Sequence, residues 1–179
     1  MLTIDNTETV TSAVLARLFQ GAHGWLEGTI NTLTPDLAAW TPPGLAVPAG
    51  AHYAHVLLSE DFLIGGAILG GAPLAMSSWQ GRAGIGELPP PGVWDEWARR
   101  VVVDLPAARQ YAQAVYAATD AYLAGATEDD LAREVDISAF GLGIQTTEYV
   151  LNNLILNAAA HCGEIACLKG LQGAKGYGF

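Results

Sequence analysis

Apolar residues recur at every third or fourth position in four parts of the chain, which are separated by stretches rich in glycine and proline. This spacing predicts amphipathic helices that each bury one face. Long helices are predicted at 7–33, 51–69, 93–124 and from 146 or 147 to the glycines at 170–173. Pro106 is expected to kink or restart the third of them, because proline removes a backbone hydrogen bond. A short helix is expected at 35–39.

The segments between these helices predict how they are connected. Residues 70–92 contain paired glycines, paired serines and the proline run 89–91, which is typical of a long crossover with little regular structure. Residues 125–145 are expected to be mostly loop, because the alternation around Asp136 is too brief for a strand. Long crossovers suit bundles whose neighbouring helices are not consecutive. The prediction is one all-α domain over 1–179, a four-helix bundle with a long crossover connection.

Composition and charge narrow the possible partners. The 179 residues are 51% hydrophobic and 15% charged, which is enough apolar surface to fill a core. The net charge of −10 repels phosphate groups, so neither nucleic acid nor an anionic membrane is an expected partner. The most apolar stretch, 62–76, is interrupted by glycines and is shorter than a bilayer of about 30 Å requires. The first residues show no secretory signal, so a cytoplasmic location is expected.

Two predicted helices carry polar residues along one face. The last helix places four of them at spacings of four, four and three: Asn153, Asn157, His161 and Glu164. The second helix has a matching set at spacings of three and four: His52, His55 and Ser59. Imidazoles from facing helices commonly build transition-metal sites in bundles. The alternative is that these side chains are hydrogen-bonded core residues.

Other roles are open to three polar residues. Glu60 and Glu164 are acid/base candidates, and the alternative for each is a side chain that orients a histidine or caps the surface. His23 has no second ligand candidate beside it, so it is expected at the surface or in packing.

Two blocks of sequence carry a family resemblance: residues 40–44 leading to 55–60, and the ending 161–173. Together they resemble the DinB-like superfamily. The resemblance implies a four-helix bundle, commonly a homodimer, with a divalent metal held by one histidine of the second helix and a His-x-x-x-His pair near the end. His55 and His161 match the first and last of these positions. The middle position is Asn157, whose amide oxygen is a poorer ligand than imidazole.

The resemblance also implies a function, a metal-dependent transferase or hydrolase that acts on a small molecule. Zinc, nickel or iron would sit at His55, Asn157 and His161, and a low-molecular-weight thiol would serve as cosubstrate. The alternative, which Asn157 favours, is a non-catalytic module for small-ligand binding or dimerisation. In it these three residues form a hydrogen-bonded network with a degenerate metal site. The residues leave open whether the protein is an enzyme.

Overall fold

The computed structural model describes residues 9–90 and 94–178, and most of this chain is helical, as the apolar pattern predicts. The described α-helices are α1 (Val10–Ile30), α2 (Pro35–Ala39), α3 (Ala49–Glu60), α4 (Trp94–Arg100), α5 (Leu105–Gly125), α6 (Glu128–Ala132) and α7 (Thr147–Leu171). Helix α3 continues into a π-helix at Asp61–Ile68, so the predicted second helix is real but changes its winding halfway. The predicted starts at 7 and 93 lie outside the described residues.

Polar caps explain where the long helices begin. The Thr9 side chain caps α1, and that of Thr146 accepts a hydrogen bond from the Tyr149 backbone at the start of α7. Asp104 caps α5, and Pro106 occupies its first turn, where the missing N–H costs nothing. A new helix therefore begins beside Pro106. Of the two expected outcomes, a kink or a restart, the restart is confirmed.

The pairing of side chains gives the direction of each helix in the bundle. His23 meets Glu60, and Glu27 meets Tyr53, so α1 and α3 run antiparallel. Contacts of His23 with Tyr116 and of Glu27 with Arg109 set α1 antiparallel to α5 as well. Helices α3 and α5 are therefore parallel, and only a long connection can join two parallel helices. The predicted crossover is present, with one 3-10 turn at Leu74–Met76 in its described part.

The segment 125–145 is more ordered than predicted. It contains α6 and a two-stranded antiparallel sheet formed by β1 (Glu134–Asp136) and β2 (Ile144–Thr146). The expectation of mostly loop was wrong because Val135 and Ile137 are buried in a core cluster with α1 and α7. Burial of these side chains stabilises a strand that is too short to be recognised by alternation.

A buried lysine fastens the end of the chain to α1. Lys169 on α7 is fully buried, and its Nζ donates hydrogen bonds to Thr29 O and Thr32 Oγ1 (both 2.7 Å) and to Gly176 O (2.6 Å). Burial lowers the pKa of this amine. These three neutral acceptors satisfy the ammonium group, and they tie α7, the α1 end and the C-terminal segment together.

Two core clusters fill the bundle along its length. The larger lies around Tyr53, Trp97 and Tyr111, and the smaller lies around Phe19, Ile64 and Leu151. Among the described residues, no helix is both long enough and apolar enough to cross a membrane.

Candidate metal centre

Helices α3 and α7 bring two imidazoles and a carboxylate together near the start of α3. His52 Nδ1 lies 3.0 Å from His161 Nδ1 and 3.1 Å from Glu164 Oε2. His161 Nδ1 also contacts Glu164 Oε2. The three potential ligand atoms all lie within 4.8 Å of one another. We call His52, His161 and Glu164 the His52 cluster.

The helical repeat and the packing of two helices position these side chains. His161 and Glu164 are three residues apart on α7 and so share one face. His52 faces them from the first turns of α3, where its side chain is 9% exposed. Glu164 has a side chain that is 52% exposed, so one side of the cluster opens to solvent.

The chemistry of these atoms fits a divalent transition metal. Imidazole nitrogen and carboxylate oxygen are ordinary ligands of zinc and of its neighbours in the first transition series. Metal–ligand distances of about 2.0–2.2 Å in a tetrahedral centre place ligand atoms roughly 3.3–3.6 Å apart. The separations of 3.0 and 3.1 Å in the cluster are a few tenths of an ångström below this range. His161 Nδ1 and Glu164 Oε2 are closer still, so these two side chains would move apart to hold a metal.

His55 lies beside the cluster and packs against an indole. Its ring is 4.8 Å from that of His161, in an edge-on arrangement, and 4.1 Å from that of Trp94. Burial, and then the neighbouring His161, lower the pKa of His55 to about 4, although a hydrogen bond with Asn157 raises it in part. His55 is therefore neutral at pH 7.

The pKa of His52 is lowered too. Burial is the largest cause; Glu164 acts in the opposite direction, and His161 lowers the pKa further. Neutral imidazole is the form that binds metal, so burial favours the ligand state of both α3 histidines.

Trp94 is held in place by the helix that carries it. The Trp97 indole, on the same short helix α4, is fully buried and donates a 2.8 Å hydrogen bond to Glu87 O of the crossover. Arg99 donates to Leu45 O at 2.6 Å. These contacts fix α4 against two loops and so place Trp94 over His55.

Asn157 lies one turn before His161 on α7 and interacts with His55. Its amide nitrogen is buried and has no hydrogen-bond partner in the described part of the chain. The predicted ligand set of His55, Asn157 and His161 thus shares one residue, His161, with the converging trio. For His55 and Asn157, ligation stays a prediction.

Sequence reasoning did not assign ligand roles to His52 and Glu164, although it had placed both on the polar faces. The available signal was the pair of matching spacings on the two helices. Which histidine of α3 meets His161 depends on the relative rotation and depth of two helices, and a single sequence does not contain that information.

A second buried polar group lies at the other end of α3, and we call it the His23 network. His23 Nε2 and Glu60 Oε2 are 2.9 Å apart, and the Thr119 hydroxyl donates to Glu60 Oε1. The His23 ring also stacks on Tyr116, with centroids 3.7 Å apart. His23 is therefore a packing residue and is not at the surface. Glu60 is not a surface cap; it orients a histidine, as the alternative predicted, and that histidine is His23.

The helix bundle and its cluster of histidine and carboxylate ligands define a class of helical proteins with a candidate metal centre. The model of the DinB superfamily matches residues 18–165, and the chain belongs to this superfamily. Comparison with curated proteins gives no match.

One solved structure supports the fold. The crystal structure of a conserved protein from Enterococcus faecalis is similar with a TM-score of 0.75 and 22% sequence identity. The alignment covers 89% of this chain and 95% of that one. At this identity the likeness establishes a shared fold.

Proposed function

We propose that this protein binds a divalent transition metal at the His52 cluster and uses it in hydrolysis or in group transfer to or from a small molecule. The single observation that carries the proposal is the convergence of His52 Nδ1, His161 Nδ1 and Glu164 Oε2 within 4.8 Å. Three protein ligands leave further coordination positions open, which is typical of catalytic metal sites rather than structural ones.

The residues around the cluster have distinct roles in this proposal. A bound metal would lower the pKa of a water or thiol and polarise an electrophile. His52 and His161 supply imidazole nitrogen, and Glu164 supplies one negative charge at the exposed side. Trp94 and His55 supply aromatic surface beside His161. The low-molecular-weight thiol remains part of the proposal through membership of the superfamily.

Metal analysis tests this function. Protein purified without a histidine tag would be incubated with zinc, nickel, manganese or iron, desalted, and analysed by mass spectrometry for metal content. We expect stoichiometric binding of at least one metal, and loss of that binding in His52→Ala and His161→Ala. Asn153→Ala, a polar change on the same helix, is the matched control and should retain the metal. No metal bound by the parent protein would contradict the proposal.

A second function, a non-catalytic module for ligand binding, is favoured by one observation. His52 Nδ1 and His161 Nδ1 are 3.0 Å apart, so a single shared proton satisfies both nitrogens without a metal. For this function we expect no metal in the parent and metal affinity in Asn157→His, which restores the His-x-x-x-His pair. Equal metal binding by both proteins would rule it out.

A further inference from the structure

Asn157 carries the one orphaned amide beside the candidate centre in the described residues. Its Nδ2 atom is buried and has no hydrogen-bond partner there. Most buried side-chain donors in folded proteins are paired, and an exception calls for an explanation. The position of the amide, one turn before His161 on the same face of α7, suggests a ligand as that explanation.

The orphaned atom of this amide is a donor and not a ligand atom. An asparagine binds a metal through its oxygen, because the NH₂ group has no lone pair to offer. The Asn157 Nδ2 atom therefore needs an acceptor, which the described residues do not supply.

The chemistry of the Asn157 donor and its surroundings indicates which class of ligand it would bind. An amide N–H donates well to carboxylate and carbonyl oxygen, whereas sulfur is a weak acceptor. The nearby side chains add the aromatic surface of Trp94 and His55, whose ring centroids are 4.1 Å apart. With a divalent cation held by His52, His161 and one carboxylate, the centre has a net positive charge, which attracts an anion.

We propose that Asn157 is a specificity-determining residue that donates a hydrogen bond to an oxygen of a small carboxylate or carbonyl substrate bound at the His52 cluster. The inference rests on the proposed function and goes beyond it in naming the substrate class.

Anion binding by the cobalt-loaded full chain tests this inference. Visible absorption of bound cobalt(II) reports the metal, and its change on titration with acetate reports carboxylate binding. Asn157→Ala is expected to keep stoichiometric cobalt and to bind acetate about 10-fold more weakly, since one hydrogen bond to a charged group is lost. Titration with 2-mercaptoethanol should be unaffected. Asn157→Leu, which keeps the side-chain volume, should behave like the alanine variant, and Asn153→Ala should bind acetate like the parent.

Three results would overturn the inference, and they can be told apart. Loss of cobalt from Asn157→Ala to the extent seen in His161→Ala would make Asn157 a ligand. Unchanged acetate affinity in both Asn157 variants, with cobalt retained, would show that the amide has no role in binding. Failure of the parent to bind cobalt would remove the metal centre and this inference together.

Discussion

The two ends of α3 carry buried polar groups of opposite character. At the far end, the His23 network closes on itself: His23, Glu60 and Thr119 are 7%, 2% and 1% exposed, and each has a partner within the group. At the near end, the potential ligand atoms of the His52 cluster contact one another beside solvent, and the neighbouring Asn157 has an unused donor.

The contrast separates two uses of the same residue types. A network whose polar atoms are all paired stabilises the fold, because losing any partner leaves another group buried and unsatisfied. A solvent-open cluster of potential ligand atoms, with an unpaired donor beside it, is suited to binding a metal or a small molecule. Both groups contain histidine and glutamate, so residue type alone does not distinguish them.

The largest expected effect is on stability, from Glu60→Ala. This change leaves His23 and the Thr119 hydroxyl without their partner in the core, and we expect the free energy of unfolding to fall by about 3–5 kcal/mol. Urea denaturation measures it. The metal content should be unchanged, because the cluster lies at the other end of α3. A stable Glu60→Ala protein would show that the His23 network is not what holds this end together.

The second largest expected effect is a loss of stability of the metal-free protein as the pH falls. The pKa of His55 is about 4 in the folded state and about 6.5 when unfolded, so the unfolded chain takes up a proton first as the pH falls. The contribution of His55 to the free energy of unfolding should fall by roughly 2–3 kcal/mol between pH 6.5 and 4 and change little below that. Urea midpoints in a chelating buffer measure this. His55→Asn should flatten the profile, and an equal slope in that variant would refute the assignment to His55.

A smaller effect, on metal affinity, is expected from a change at Glu164, the exposed member of the His52 cluster. Glu164→Gln keeps the shape but removes the charge, so metal affinity should fall about 10-fold while the free energy of unfolding stays within about 0.5 kcal/mol. Competition with a chromogenic chelator measures the affinity. A large loss of stability instead would place Glu164 among structural groups, with His23 and Glu60.

The smallest expected effect is that of Thr119→Val. The valine side chain matches threonine in shape and removes the hydroxyl that donates to Glu60, so the free energy of unfolding should fall by about 1 kcal/mol. Thermal unfolding with and without bound metal measures it. Combined with Glu60→Ala, the threonine change should add little, since both remove the same interaction. Full additivity would mean that the two groups are not coupled.

Much of the fold could be predicted because local chemistry fixed it. Helix starts are signalled within a few residues by Thr146 before an apolar run, by Pro106 after Asp104 and by Pro35 after Thr34. The strands around Val135 and Gln145 could not be predicted, since their pairing depends on burial against distant helices. The π-helix after Glu60 is equally invisible to a pattern based on 3.6 residues per turn.

The spacing of polar residues predicted which helix faces carry the site, but it did not predict which residues form the set of ligands. His161 and the polar stripe of α7 were identified from spacing, and His52 and His55 were both candidates from α3. The choice between them depends on how α3 is rotated against α7, and the pairing of His23 with Glu60 depends on contacts 37 residues apart. The homodimer, the thiol and the cytoplasmic location stay predictions.

The buried Lys169 gives this protein an internal chemical reporter. The sequence contains two lysines, Lys169 and Lys175. The amine of Lys169 is hydrogen-bonded to three acceptors and fully buried, so an acylating reagent would modify it only when the C-terminal segment opens away from α1. The ratio of label on these two residues therefore measures how often that end of the molecule opens, without any engineered probe.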